Sequence, residues 1–246
     1  MKQIIFFLAM TVSFVATAQD NQYSTAEDSD PISSKILETM KDQYLGYSSV
    51  EAAFTLTIEL PEEDAEIQKG KIQQQDDRFN LTINDQHIIC DGNLLWYHQI
   101  SSKLVQINNY DPEEASDEVF SPQNFLKFYE DGKYVAAPVS VAKENGKPVR
   151  WIELKPVDRD SEYFKFRIAL DIKKDNLNSI KAFNRDGSRY TLKVDELTPN
   201  KKFTDKTFTF DEKDYPGVDV EDLRVCLLYT SPSPRDATLS RMPSSA

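Results

Sequence analysis

The spacing of apolar residues between positions 31 and 45 predicts a helix. Apolar side chains recur there every three or four residues and so share one helical face: Ile32, Ile36, Leu37, Met40 and Tyr44. Asp30 can cap the first turn, with Pro31 at the first helical position, and Gly46 suits the C-terminal cap. We therefore expect an amphipathic helix that packs on another element.

From residue 50 onward the apolar period changes to two, which is typical of strands with one apolar face. The segment 52–60 is the clearest example, because Phe54, Leu56 and Ile58 alternate with threonines and a glutamate. Similar segments follow up to residue 108 and again from 134 to 211, including 134–141 and 208–211. A second, unusually aromatic helix is predicted at 123–129.

The predicted strands are joined by short turns, such as Asp91-Gly92-Asn93, and short connections imply antiparallel neighbours. We expect about ten or eleven strands, and an open sheet of that size tends to curl. The fold class is therefore mainly β with α, a single large curved antiparallel sheet. Two helices are available to cover its concave apolar face and enclose an apolar cavity.

Both ends of the chain differ from this central domain, which we place at 31–224. Residues 1–18 resemble a secretory signal peptide, with Lys2, an apolar run and Ala16-Thr17-Ala18 as a cleavage site. A polar leader is expected at 19–30. Residues 225–246 lose all periodicity and are interpreted as a non-native or disordered tail. The mature protein is accordingly expected to be exported and soluble.

Composition excludes several functional classes. The chain has 246 residues with a net charge of −12 and a mean hydropathy of −0.55, which argues against nucleic acid as the main partner. Two His and two Cys are too few for a multi-ligand zinc site or a disulfide framework. Without the tail, Cys90 is the one remaining cysteine, and it lies in an apolar strand that suits an inert thiol.

No established catalytic motif is present, neither a nucleophile elbow nor a His-Glu-x-x-His zinc motif nor a phosphate loop. His87 and His98 flank the Asp91-Gly92 turn and can approach each other on paired strands. They fit polar residues at the edge of a cavity better than metal ligands. The many carboxylates fit solvated loops, although a glycosidase would need only two that face each other across a cleft.

Several segments in order resemble the periplasmic outer-membrane lipoprotein carrier family, LolA. These segments are Val50-Glu51-Ala52-Ala53-Phe54-Thr55-Leu56-Thr57, Lys69-Gly70-Lys71-Ile72, Ile88-Ile89-Cys90-Asp91-Gly92-Asn93-Leu94-Leu95-Trp96-Tyr97, Ser121-Pro122-Gln123-Asn124-Phe125-Leu126 and the end from Tyr215 to Arg224. The resemblance implies an unclosed barrel with a helical lid over an apolar cavity. It also implies a carrier for acylated lipoproteins, which are released by an inner-membrane ABC transporter and delivered to an outer-membrane acceptor.

One segment departs from the family pattern. Better-known members have Lys-Arg-Pro after the second strand, and that arginine ties the lid to the barrel. Here the segment is Gln75-Asp76-Asp77-Arg78-Phe79, with the arginine displaced and no proline. No lid-latching role is assigned to Arg78, and the outer-membrane acceptor is expected to differ or to be absent.

The resemblance and the periodicity together nominate candidate site residues, each of which could equally be an ordinary core residue. The acyl-chain-binding candidates are Phe54, Leu56, Ile58, Phe79, Leu81, Ile89, Leu95, Trp96, Trp151, Phe164, Phe166 and Ile168. The lid candidates are Ile36, Leu37, Met40, Phe125, Leu126 and Phe128. We expect a monomeric, non-enzymatic periplasmic protein that uses no cofactor and no metal.

Two other functions fit the same residues. The first is a non-catalytic envelope chaperone that binds polypeptide and not lipid, which predicts an exposed apolar patch or edge strand instead of an enclosed cavity. The second is an acidic hydrolase with two carboxylates converging in a cleft.

Overall fold

The computed structural model describes residues 25–111, 132–144, 146–173 and 175–224. The predicted signal peptide 1–18, the predicted helix 123–129 and the predicted tail 225–246 lie outside the described residues.

The predicted N-terminal helix is confirmed as α1, Pro31–Leu45. The Asp30 carboxylate accepts a hydrogen bond of 2.8 Å from the backbone N–H of Ser33, which caps the first turn as the sequence predicts. Gly46 is the C-terminal cap, but its φ of −74° is right-handed, so this position does not require glycine. A short 3-10 turn, Ala26–Asp28, precedes α1, and the backbone N–H of Asp30 donates to the carbonyl of Ala136 at 2.9 Å.

Within the described residues, thirteen strands form one sheet. They are β1 Val50–Glu59, β2 Glu66–Gln75, β3 Arg78–Ile83, β4 Gln86–Cys90, β5 Leu94–Gln99, β6 Leu104–Asn109, β7 Tyr134–Ala136, β8 Ser140–Glu144, β9 Lys147–Pro156, β10 Tyr163–Asp171, β11 Leu177–Asn184, β12 Arg189–Pro199 and β13 Asp219–Asp222. Their order is β13-β6-β5-β4-β3-β2-β1-β12-β11-β10-β9-β7, and β8 also pairs with β9.

The predicted fold class is confirmed, because the strands make one large curved sheet that does not close. β13 and β7 stand at its two edges. All pairs are antiparallel except β13 with β6, so the sheet is mixed and not purely antiparallel. Most connections are tight turns, which explains why neighbours in sequence are neighbours in the sheet.

Two predicted strands differ from the structure. The segment 134–141 is interrupted at residues 137–139, which separates β7 from β8 on the same edge of β9. The segment 208–211 is not a strand, and a 3-10 turn, Asp205–Phe208, ends where that strand was expected to begin. The apolar alternation there instead reflects Phe208, which is 1% exposed and anchors an irregular segment.

Strand pairing assigns each side chain to one of two faces. We call the face that packs against α1 the inner face and the opposite one the outer face. One core cluster joins Leu37 and Met40 of α1 to Ile152, Leu154 and Ile168. A second inner-face cluster on β1–β4 includes Ala52, Ile72, Phe79 and Leu81, and Tyr47 and Leu197 pack against both clusters.

A C-terminal segment covers part of the outer face. We call residues 203–218 the strap, and they lead into β13. Asn80 donates from Nδ2 to the carbonyl of Thr207 at 2.8 Å, and Arg78 pairs with Asp205 at 2.8 Å. Phe210 and Val218 pack on a third cluster, formed by Ile89, Trp96 and Val105. The strap therefore buries apolar side chains on the outer side of β4–β6.

In the part of the chain that the structure describes, no helix has the length and apolar content needed to cross a membrane.

Candidate functional site

The inner face has few charged residues, and Lys143 of β8 and Arg150 of β9 are two of them. On β1–β6 and β10–β12, Glu66 is the one charged residue at an inner position within the described strands. The charged side chains of these strands lie on the outer face, and 28% of the whole sequence is charged. Such segregation is expected when one face of a sheet is kept away from water.

Apolar side chains dominate the part of the inner face that α1 leaves uncovered. On β1 they are Phe54, Leu56 and Ile58, which pair across β12 with Val194, Leu192 and Tyr190. Leu56 is 9% exposed, whereas the other five are half-buried. Half-buried apolar side chains that converge on one face present a surface on which alkyl chains can pack.

Phe54 lies across the backbone of Gly70 on the neighbouring strand. A Cβ atom at residue 70 would come within 2.3 Å of Cζ of the Phe54 ring. The glycine is therefore explained by close approach of an aromatic ring to the strand backbone. The Phe54 ring therefore occupies the inner-face position directly over Gly70.

The covered end of the inner face is an ordinary core. Leu37 of α1 and Leu154, Ile152 and Leu170 of the sheet are each 0% exposed. Tyr44 packs here too, and burial raises the pKa of its phenol to about 12, so the hydroxyl stays neutral at physiological pH. Helix α1 therefore holds one part of the inner face firmly covered.

Cys90 lies at the inner-face cluster of β1–β4 and is fully buried. Burial raises the pKa of its thiol to about 12, with Asp91 and Asp77 adding to the effect. A protonated buried thiol is a poor nucleophile. This agrees with the sequence interpretation of Cys90 as an inert core residue.

The predicted acyl-chain-binding residues divide between the two faces. Phe54, Leu56, Ile58, Phe79, Leu81, Leu95, Phe166 and Ile168 share the inner face. Ile89, Trp96 and Trp151 occupy the outer face, the first two under the strap and the third beside Arg167. Phe164 is 44% exposed and contacts the outer-face ring of Phe183 at a centroid distance of 6.0 Å. The sheet itself therefore separates these four residues from the other eight.

The predicted lid residues divide differently. Leu37 and Met40 are buried against the sheet and Ile36 packs at the margin of the same cluster. Phe125, Leu126 and Phe128 lie outside the described residues. Sequence reasoning missed Ile72, Ile152 and Leu154, which are buried inner-face neighbours of the predicted set. In the structure Ile72 lies opposite both Ala52 and Leu81, so a correct alignment of β2 with its two neighbouring strands would have identified it.

The two histidines do come together, as the sequence suggested, but on the outer face beneath the strap. His87 and His98 are cross-strand partners, and Tyr215 packs against both rings. Nε2 of His87 lies 2.9 Å from Oδ1 of Asn80, and burial lowers the pKa of both imidazoles. Among the described residues, no group of three or more His, Cys, Asp or Glu side chains is arranged to hold a metal ion.

Several outer-face carboxylates are held by cations. Lys201 bonds to Glu51 at 2.7 Å and, with Gln73 and Lys71, lowers the pKa of Glu51 to about 2. Burial alone would raise the pKa of Glu153, but Arg167 and Lys165 lower it. Carboxylates neutralised in this way are structural ion pairs, because a catalytic acid needs a raised pKa instead.

A family model described as "Outer membrane lipoprotein carrier protein LolA" matches residues 46–211, more than half of the chain. A search of curated protein sequences found no match.

The solved structures that match this chain share little of its sequence. A LolA superfamily protein from Nitrosomonas europaea is 13% identical, with 72% of this chain and 97% of that chain covered and a TM-score of 0.38. An uncharacterized conserved protein from Thermus thermophilus is 8% identical, with 77% of this chain and 98% of that chain covered and a TM-score of 0.48. LprF from Mycobacterium bovis is 10% identical, with 72% of this chain and 96% of that chain covered and a TM-score of 0.43.

Proposed function

The chain belongs to the outer membrane lipoprotein carrier protein family LolA, and we propose that its inner face shields the acyl chains of lipoproteins during transfer from the inner to the outer membrane. The observation that supports this most directly is the near absence of charge at inner positions across nine strands. An alkyl chain gains free energy by leaving water for such a surface and needs no hydrogen bonds there.

The physical problem is the strength of lipid anchoring. Each buried CH₂ group contributes about 0.8 kcal/mol, so a lipoprotein with two or more acyl chains hardly leaves a bilayer without help. A soluble protein can replace the bilayer only if it offers a comparable apolar surface that opens reversibly. The half-buried side chains around Phe54 and Ile58 are proposed to provide that surface, and the predicted helix 123–129 is proposed to cover it beside α1.

The proposed setting follows from this role. The protein would work in the periplasm after removal of residues 1–18, receiving lipoproteins from an inner-membrane ABC transporter and passing them to an outer-membrane acceptor. It would act as a monomer and without catalysis. The eight inner-face candidates are retained as proposed acyl contacts. The other four candidates are not retained. Three of them lie on the outer face: Ile89, Trp96 and Trp151. The fourth, Phe164, contacts the outer-face ring of Phe183.

The test is a titration with a synthetic triacylated lipopeptide and a fluorescent fatty-acid probe. We expect saturable binding in a one-to-one complex. Ile58→Glu should weaken binding about tenfold or more, because a carboxylate on the inner face must be desolvated when the alkyl chain arrives. Thr57→Glu is the matched control, since it places the same charge one residue away on the outer face.

The outcome also separates the alternatives. If a peptide of the same sequence without acyl chains competes equally well, the inner face binds polypeptide and the chaperone hypothesis replaces the carrier hypothesis. Absence of saturable binding by either acylated probe would refute the carrier hypothesis. Equal weakening by the two glutamate variants would show that the inner face is not the binding surface.

A further inference from the structure

The part of the outer face that the strap leaves uncovered has an unusual charge. Eight cations occupy outer positions on β2 and β9–β12: Lys69, Lys71, Lys155, Lys165, Arg167, Lys181, Arg189 and Lys193. We call this surface the cationic face. Seven carboxylates share the region: Glu51, Glu59, Glu144, Glu153, Asp171, Asp195 and Glu196. Eight cations against seven carboxylates leave a small excess of positive charge on this face, although the net charge of the chain is −12.

Aromatic rings lie among these cations. Lys165 stands 4.6 Å from the centroid of Phe183, and Arg167, Lys181 and Arg189 approach the same ring at 5.6, 5.7 and 5.9 Å. Arg167 also stacks on Trp151 at 4.4 Å. Cations gathered over aromatic rings are held in place on the sheet, so their charges stay concentrated instead of spreading on flexible side chains.

Exposed apolar side chains complete the cationic face. Ile67 is 64% exposed and points outward opposite Thr57, and Phe164 is 44% exposed against Phe183. Lys and Arg mixed with exposed Phe, Ile and Trp are typical of surfaces that lie at a lipid headgroup layer, where cations meet phosphates and apolar groups enter the interface.

The width of the array selects among anionic partners. The cations extend across six neighbouring strands, from β2 to β9, and strands lie roughly 4.8 Å apart. They therefore span about 24 Å, which no single phosphate group can contact. A fluid layer of anionic headgroups can meet all of them at once. The acidic turn 61–65 lies beyond the strand ends, so the face of the sheet and not its end has the cationic excess.

We infer that the cationic face docks this protein on anionic phospholipid bilayers. The inference goes beyond the proposed carrier role, because it assigns a function to the face opposite the proposed acyl site. The internal carboxylates keep the cationic excess small, so the docking is reversible and weakens as salt screens it.

The experiment is co-sedimentation of the purified protein with vesicles of phosphatidylcholine alone or with about 30% phosphatidylglycerol. The test variant combines Lys69→Gln, Lys155→Gln and Arg189→Gln, three exposed residues of the cationic face. The control combines Lys35→Gln, Lys202→Gln and Lys213→Gln, which are exposed elsewhere. Both variants lose the same charge, so the comparison separates position from net charge.

We expect binding to the anionic vesicles only. The test variant should partition about tenfold less than the wild type, and the control should stay within about twofold. Equal losses in both variants would overturn the inference, as would equal binding to neutral vesicles. If the protein does not sediment with vesicles but is retained by polyglutamate beads, the partner is an acidic protein and the bilayer assignment is wrong. Binding of the acylated probe should stay unchanged in both variants, so that failure here leaves the carrier proposal standing.

A spectroscopic readout avoids charge substitution altogether. The chain has two tryptophans, so Trp96→Phe leaves Trp151 of the cationic face as the single reporter. Its emission should shift to the blue when anionic vesicles are added, because docking removes water from the ring. Unchanged emission from protein that sediments with the vesicles would show that another surface binds them.

Discussion

The inner and outer faces of the sheet are built from the same strands, yet they differ sharply in the number of charged residues outside the part that the strap covers. Along β9, Ile152 and Leu154 point inward and are 0% exposed, whereas Glu153 and Lys155 point outward into ion pairs or water. Along β1, Leu56 and Ile58 alternate with Thr55 and Thr57. The role of a side chain in such a sheet therefore depends on the face that it occupies, because the next residue along the strand points to the opposite face.

The largest expected effect comes from truncating a side chain on the covered part of the inner face. Leu154→Ala should lower the free energy of unfolding by about 3 kcal/mol, because it removes three buried carbon atoms and leaves a cavity beside Leu37 and Ile168. Lys155→Ala, the outward neighbour, should change it by less than about 0.5 kcal/mol. Urea denaturation of both variants measures the difference, and similar losses would contradict the assignment of faces.

A smaller effect is expected at the close contact between the Phe54 ring and the backbone of Gly70. Gly70→Ala should cost about 1 kcal/mol of stability, since the new methyl group forces the Phe54 ring to move off the strand. The displaced ring should occupy the proposed acyl site and weaken probe binding. Lys71→Ala on the outer side of the same strand is the control, and probe titration with thermal melts is the measurement. Unchanged binding in Gly70→Ala would separate Phe54 from the site.

The smallest effect concerns pH and the part of the outer face that the strap covers. Burial lowers the pKa of His98 and His87 below the value of about 6.5 in the unfolded chain. The neutral imidazoles therefore contribute stability above about pH 6.5, and that stability is lost as the pH falls through their folded-state pKa. Tm should drop between pH 7.5 and 5.5 in the wild type.

The control for this prediction is His98→Phe, which keeps a ring against Tyr215 but cannot take up a proton. Its Tm should depend less on pH in the same interval. The interval lies above the range in which Glu51, with its pKa of about 2, loses its ion pairs, so the two effects do not overlap. An identical pH slope in both proteins would show that the histidines do not couple to the fold.

Most of the fold could be predicted because each strand shows its period in its own residues. Helix α1 has its cap, its proline and its apolar spacing in one short segment. β13 could not be predicted in this way, since Asp219–Asp222 is exposed throughout and has no apolar face. It exists because its backbone pairs in parallel with β6, a contact between residues more than 100 positions apart.

The candidate site was harder to predict, because periodicity separates two faces of one strand but does not say which face joins which. In Ile88-Ile89-Cys90 both faces of β4 are apolar, so the sequence could not show that Ile89 belongs with Trp96 under the strap. Trp151 was predicted to line the cavity, and the structure explains its outward position through the stacked guanidinium of Arg167. Arg78 similarly contacts Asp205 and the ring of Phe208, which fixes the strap.

The strap and β13 also impose an order on biosynthesis. Ile89, Trp96 and Val105 receive their cover from residues 210–218, and β6 receives its outer partner from residues 219–222. Because synthesis proceeds from the N-terminus, those side chains stay exposed to water until more than 100 further residues have been added. A chain that stops before the strap therefore exposes the apolar side chains of Ile89, Trp96 and Val105, which the strap covers in the folded protein. Residues 210–222 therefore complete the cover of these side chains only after all the strands beneath them have been synthesised.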